Sequence, residues 1–181
     1  MGTDSRLRGW AAAFALAFVA LPAQAADAPT PVEVKADYVA KLAPFVVWPA
    51  AVFAAPAAPL VLCVQADDAF AALLDKLTTG QSVGAHPVVV RKTPRLGADS
   101  GCQIAYVAGS PAQTPAAALK AVDGQPVLTV TDTDSDTGAK GIVNLVAVDG
   151  RVRFVIDAAR ATQSGLTISS KLLALAADVK R

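Results

Sequence analysis

Few residues of this chain could do chemistry, and each must be weighed. Cysteine occurs at positions 63 and 102, and His86 is the one histidine. A Ser-His-Asp or Cys-His arrangement would have to use His86, which sits before Pro87 at the start of an apolar run and reads as a surface residue near a sheet edge. No serine is framed by the G-x-S-x-G turn of a hydrolase nucleophile. The stretch TDTDSDTG places Asp132, Asp134 and Asp136 at the D-x-D-x-D spacing of a calcium loop. Its sixth position is Thr137 where glycine is needed, and its twelfth is Val143 where a bidentate glutamate belongs, so a polar turn is the better reading. Lys171 follows Ser169 and Ser170, but the S-x-x-K spacing fails because residue 168 is isoleucine. Gly138-Ala139-Lys140-Gly141 is too short for a phosphate-binding loop and lacks its Lys-Ser/Thr ending. With one histidine and two separated cysteines there is no metal-ligand cluster, and no cofactor is expected.

What the two cysteines do depends on the compartment. Arg6 and Arg8 precede an apolar run from Trp10 to Leu21, and Ala23-Gln24-Ala25 supplies small residues for cleavage. This is the pattern of a secretory signal peptide over residues 1–25, with an uncleaved interfacial helix as the alternative. The run is shorter than the roughly 20 residues a membrane span needs. Removing the segment takes away Arg6, Arg8 and Asp4 and leaves a formally neutral chain from a net +1. A neutral chain lacks the electrostatic footprint of a nucleic-acid or anionic-lipid binder. The mature protein is therefore expected to be soluble, in an oxidising compartment. An even cysteine count in an exported chain favours pairing of Cys63 with Cys102, two buried free thiols and a reactive thiol being the alternatives.

These residues must be held by elements whose pattern can be read. Residues 26–33 (ADAPTPVE) form a frayed start. Val34, Tyr38, Leu42, Phe45 and Val46 recur at helical spacing, with Pro44 kinking the last turn and Trp48-Pro49 ending it. Leu60–Gln65 reads as a buried strand. Asp67 or Asp68 then caps a helix with Phe70, Leu73, Leu74 and Leu77 inward, stopped by Thr79 and Gly80. Val88–Arg91, Cys102–Ala108 and Pro126–Thr131 read as further strands, with a short helix at about 115–122. Ile142–Val148 and Val152–Ile156 flank Asp149-Gly150, a strong hairpin signal. A short Ala-rich helix and a turn at Gly165 follow. Ser169 or Ser170 caps a last helix with Leu172, Leu175, Ala176 and Val179 inward and Lys180 and Arg181 at its negative end. Strands alternating with helices, then a hairpin, predict one α/β domain over 34–181. Its sheet is mostly parallel, flanked by helices, with an antiparallel hairpin at one edge. The strands carrying the two cysteines are then often neighbours.

The stretch QPVLTVTDTDSDTGAKGIVNLVAVDGRVRFVIDAARATQSGLTISSKLLALA resembles the YfiR-like family of periplasmic proteins. VKADYVAKLAPFVVWP is similar to that family's opening helix, and LVLCV and CQIAYVAGS to its two cysteine-bearing strands. The resemblance covers nearly the whole mature chain. It implies an α/β fold, a supporting disulfide between Cys63 and Cys102, dimers, and no catalysis. It also implies a regulatory role: repression of an inner-membrane diguanylate cyclase by contact with its periplasmic part, lowering cyclic-di-GMP and so biofilm formation, with an outer-membrane lipoprotein able to draw the repressor away. The family's second disulfide, near the hairpin, has no cysteines here; Pro44 interrupts the first helix, and Asp157 stands where the family has asparagine. The surfaces expected to meet a partner are the end of the first helix, at Phe45 and Trp48, and the Gly165–Lys171 turn with Ser169, Ser170 and Lys171. A periplasmic small-ligand binding protein without enzymatic activity, using a cleft at the carboxyl ends of the strands, is the alternative.

Overall fold

A computed structural model of the chain describes residues 28–132 and 138–181. The signal-peptide reading of residues 1–25 lies outside the described residues, as do Asp134 and Asp136. The first helix, α1 (Pro31–Lys41), starts earlier than its apolar spacing suggests, because its cap is complete. Thr30 accepts from the Glu33 backbone N–H at 3.3 Å, the Glu33 carboxylate accepts from the Thr30 N–H at 2.7 Å, and Pro31 fills the first turn. It also ends earlier. Pro44 has no N–H to give and its ring crowds the carbonyl four residues back, so the chain leaves the helix at Leu42. A single 3₁₀ turn, Ala43–Phe45, leads into a two-residue strand, β1 (Val46–Val47). The buried face is Ala36, Val39 and Ala40 rather than Val34 and Tyr38. Alanines let the helix axis approach the sheet, and Tyr38 is left half-buried, edge-on to Phe154 at 5.4 Å.

Strand β2 (Leu60–Gln65) follows, then α2 (Asp68–Thr78), capped by Asp67, which accepts from the Phe70 N–H at 2.8 Å. Phe70 and Leu74 are buried, as expected, while Leu73 and Leu77 pack at the margin. Two strands come next: β3 (Ser82–Val83), absent from the sequence reading, and β4 (His86–Lys92). After them come β5 (Ile104–Val107), α3 (Pro115–Ala121), β6 (Leu128–Asp132), β7 (Val143–Val148) and β8 (Arg151–Asp157). The β7–β8 turn has φ of +50° at Asp149 and +72° at Gly150, the doubly left-handed form that Asp-Gly favours. The chain closes with α4 (Ala158–Gln163), β9 (Thr167–Ile168), α5 (Ser170–Leu175) and β10 (Asp178–Lys180).

Among the described residues these strands form an eight-stranded sheet in the order β10-β8-β7-β6-β5-β2-β4-β3, mostly parallel, and a separate β1-β9 ribbon. The expected α/β domain is therefore observed, with β10 added parallel to β8 outside the hairpin. The expected last helix is shorter. Ser169 caps it, but six residues bury too little to extend it, and the Ala177 N–H donates to the Phe154 carbonyl at 2.8 Å, drawing the chain onto the open edge of β8. Leu175 is accordingly 60% exposed, and Val179, Lys180 and Arg181 are not part of a helix end.

Alternation along the central strands feeds two apolar layers. Leu60, Leu62, Val64, Ile104 and Tyr106 face α1 and α2. Cys63, Ala105 and Val107 face α3, with Leu96 and Val127. Between β6 and β7, the chain re-enters the sheet through a polar seam. Gly141 N–H donates to Thr131 Oγ1 at 3.1 Å, Ile142 N–H to Thr129 Oγ1 at 2.9 Å, and Asn144 Nδ2 to the Gly141 carbonyl at 3.1 Å. A Cβ on Gly141 would meet the Thr129 carbonyl oxygen at 2.7 Å, so glycine is what lets the two segments close. This seam fixes where β6 ends, and so where Asp132 is held.

Candidate functional site

The two sulfurs are joined. Cys63 in β2 and Cys102, two residues ahead of β5, form a disulfide with Cα atoms 5.7 Å apart. Pairing is geometrically natural because β2 and β5 are parallel neighbours, Cys63 facing Ala105. The Gln103 side chain strengthens the same junction, its Oε1 accepting from the Val61 N–H at 2.8 Å. Among the described residues there is no free cysteine, and no group of three or more His, Cys, Asp or Glu is placed to hold a metal. His86 is half-buried rather than a surface residue. Its ring stacks on Phe53 at 3.7 Å, and its Nδ1 donates to the Ala58 carbonyl at 2.6 Å, so its role is to pin the 50–58 segment to β4.

The chain makes its main topological reversal between β2 and β5. From β2 it passes through α2 on one face to β4; from β5 it passes through α3 on the other face to β6. The carboxyl ends of the two strands therefore diverge and leave a crevice, the place where doubly wound sheets take ligands. Here it is a cavity of about 490 Å³. Ala66 and Asp67 border it from β2, Ala108 and Gly109 from β5. Its base is an ion pair. Lys35 Nζ of α1 lies 2.9 Å from Asp132 Oδ2 at the end of β6, with side chains 11% and 10% exposed. The Tyr106 hydroxyl donates to the same oxygen at 3.3 Å, and the Phe70 ring stacks on Tyr106 with centroids 4.4 Å apart. Desolvating both charges is costly, and the pair persists because each charge is met by its partner. Asp132, which in sequence opens a D-x-D-x-D stretch, is thus a buried carboxylate of this crevice.

The residues expected to meet a partner come together elsewhere. β1 pairs antiparallel with β9, Val46 opposite Ile168 and Val47 opposite Thr167. The Ser169 N–H donates to the Phe45 carbonyl at 2.8 Å, and Gly165, at φ +71°, passes close to Pro49. The end of the first helix and the 165–171 turn, remote in sequence, therefore form one surface. On it Gly165, Ser170 and Lys171 are exposed, and Phe45 and Ser169 half-exposed. Trp48 lies beneath, 8% exposed, its indole N–H donating to the Gln103 carbonyl at 3.0 Å, so it supports the patch rather than presenting a face. Val47, which sequence reading passed over, is 66% exposed at its centre. Its apolar side chain on a two-residue strand looks like the tail of a core helix until the break at Pro44 turns it outward.

The crevice residues Lys35, Phe70 and Tyr106 were likewise missed as a group. Two signals could have marked them: a lysine among the apolar positions of the opening helix, and a tyrosine in an otherwise aliphatic strand. A protein-family model described as YfiR/HmsC-like matches residues 32–177. No curated protein matches the chain.

Proposed function

Because the chain belongs to the YfiR/HmsC-like family, we propose that it is an exported regulatory binding protein that represses an inner-membrane diguanylate cyclase, or a similar sensor, by contact with the sensor's periplasmic part. The observation that carries this reading is the family match across almost all of the folded chain, including both cysteine-bearing segments. The disulfide fits an oxidising compartment, and among the described residues no helix is long and apolar enough to cross a membrane. A domain whose cysteines are tied to each other has surface complementarity as its main means of action.

The contact surface in this reading is the β1–β9 patch: Phe45, Val47, Gly165, Ser169, Ser170 and Lys171. An exposed valine ringed by small and polar side chains is the composition of a modest interface centre with a wet rim. An outer-membrane lipoprotein competing for the same patch, and a homodimer as the working unit, belong to the same reading. Its test is a pair of variants, Val47→Asp and Lys171→Glu, in cells of the source organism, with its inner-membrane diguanylate cyclases that carry a periplasmic domain as the candidate partners. Each should weaken capture of the cyclase's periplasmic domain at least about tenfold, the cost of a lost interface anchor, and raise cyclic-di-GMP, with the thermal midpoint unchanged. Unchanged capture and unchanged cyclic-di-GMP in both variants would remove the patch from the proposal. Loss of the whole gene without any rise in cyclic-di-GMP would remove the repressor reading itself.

A further inference from the structure

We propose that the crevice at the carboxyl ends of β2 and β5 binds a small organic cation, a primary amine carrying an apolar body about the size of one aromatic ring. This does not rest on the partner reading above and uses a different face of the molecule.

The volume comes first. Ala66, Ala69 and Ala108 are small, and Gly109, at φ +96°, leaves no room for a side chain, its Cβ position being 2.9 Å from Pro115. The walls that remain are the stacked Phe70 and Tyr106 rings with Leu73 and Val32. Such a wall takes an apolar body, and an aromatic face attracts a cation laid against it.

Charge then selects the ligand. Among the described residues, three ionic groups border the cavity: Lys35, Asp132 and Asp67. Lys35 is bound to Asp132 at 2.9 Å, so its charge is already met. Asp67 stands exposed at the rim with one carboxylate oxygen on the Phe70 N–H, and a carboxylate has further acceptor capacity beyond that bond. These described groups thus carry one excess negative charge. An anion is disfavoured by that charge. The start of α2, which would otherwise receive a phosphate or carboxylate, is also occupied by the Asp67 side chain. The usual anionic nucleotide of this strand topology therefore does not fit, whereas an ammonium reaching Asp67 with its body on Phe70 and Tyr106 does.

The test is calorimetric titration of the exported chain with phenethylamine and, in parallel, with 3-phenylpropionate, which has the same ring on a carboxylate. The amine should bind saturably and raise the thermal midpoint by mass action, and the carboxylate should not. Asp67→Asn keeps the helix cap, since asparagine caps as well as aspartate, and should weaken the amine by about tenfold or more, the worth of one charge-assisted hydrogen bond. Ala69→Phe, at an exposed position of the first turn, should fill the crevice and abolish binding. The proposal is overturned if the amine shows no saturable binding in the millimolar range, if the carboxylate binds as tightly, or if both variants bind the amine within twofold of the parent.

Discussion

Replacing Cys63 and Cys102 together by alanine should remove about 5 kcal/mol of folding stability. The bond joins residues 39 apart in sequence. In the chain-entropy account, releasing a loop of that length returns about 13 cal/mol/K to the unfolded chain, about 4 kcal/mol at room temperature. Both sulfurs are buried, so truncation adds about 1 kcal/mol for the lost core contacts. Against a typical total of about 5–15 kcal/mol, the oxidised protein should be folded and the variant marginal. The assay is urea unfolding followed by tryptophan fluorescence, which Trp48, packed beside the bridge through Gln103, reports directly. With a slope near 2 kcal/mol/M, usual for a domain of this size, the midpoint should fall by about 2.5 M. The slope itself should rise, because an unlinked unfolded chain exposes more surface. Parent protein unfolded in dithiothreitol should converge on the variant. A midpoint shift below about 0.5 M at constant slope would refute the reasoning: the β2–β5 junction would then be held by its hydrogen bonds and packing, the covalent link being incidental.

Two further outcomes follow from named contacts. Lys35→Met leaves the Asp132 carboxylate in its buried position without its cation and should cost about 3–5 kcal/mol in thermal or urea unfolding; adding Asp132→Asn should restore most of that loss, and a double variant no better than the single one would show that the pair is not coupled. Glu33, held below the ordinary glutamate value first by the hydrogen bond from the Thr30 backbone and then by that from its side chain, stabilises α1 in its ionised form. That contribution is fully present above the ordinary value of 4.5 and is lost as pH falls through the lower folded value, so the gap between parent and Glu33→Gln should be constant at neutral pH and close on acidification. A gap that widens in acid would reverse the assignment.

The sequence alone determined whatever depends on short-range chemistry. Alternation of buried strands with capped helices, a cap at Asp67 or Asp68, Asp149-Gly150 as a hairpin turn and the α/β class all follow from backbone preferences and apolar spacing within about ten residues. Pairing of the two cysteines also came within reach, once the compartment and the strand topology were inferred. Tertiary structure decided the rest, for the same physical reason each time: local preference is worth a few tenths of a kcal/mol, and burial or an open sheet edge overrides it. The tail from Ala176 could have continued as helix, but the unpaired edge of β8 took it as β10. Val46 and Val47 look like helix core and instead pair with Thr167 and Ile168, residues no local rule connects to them. Asp132 reads as part of a polar turn in the sequence, and Lys35 and Tyr106 are not singled out. Their grouping arises because the fold brings α1, β5 and β6 to one end of the sheet, where a charge can be buried once its counter-charge arrives from a distant part of the chain.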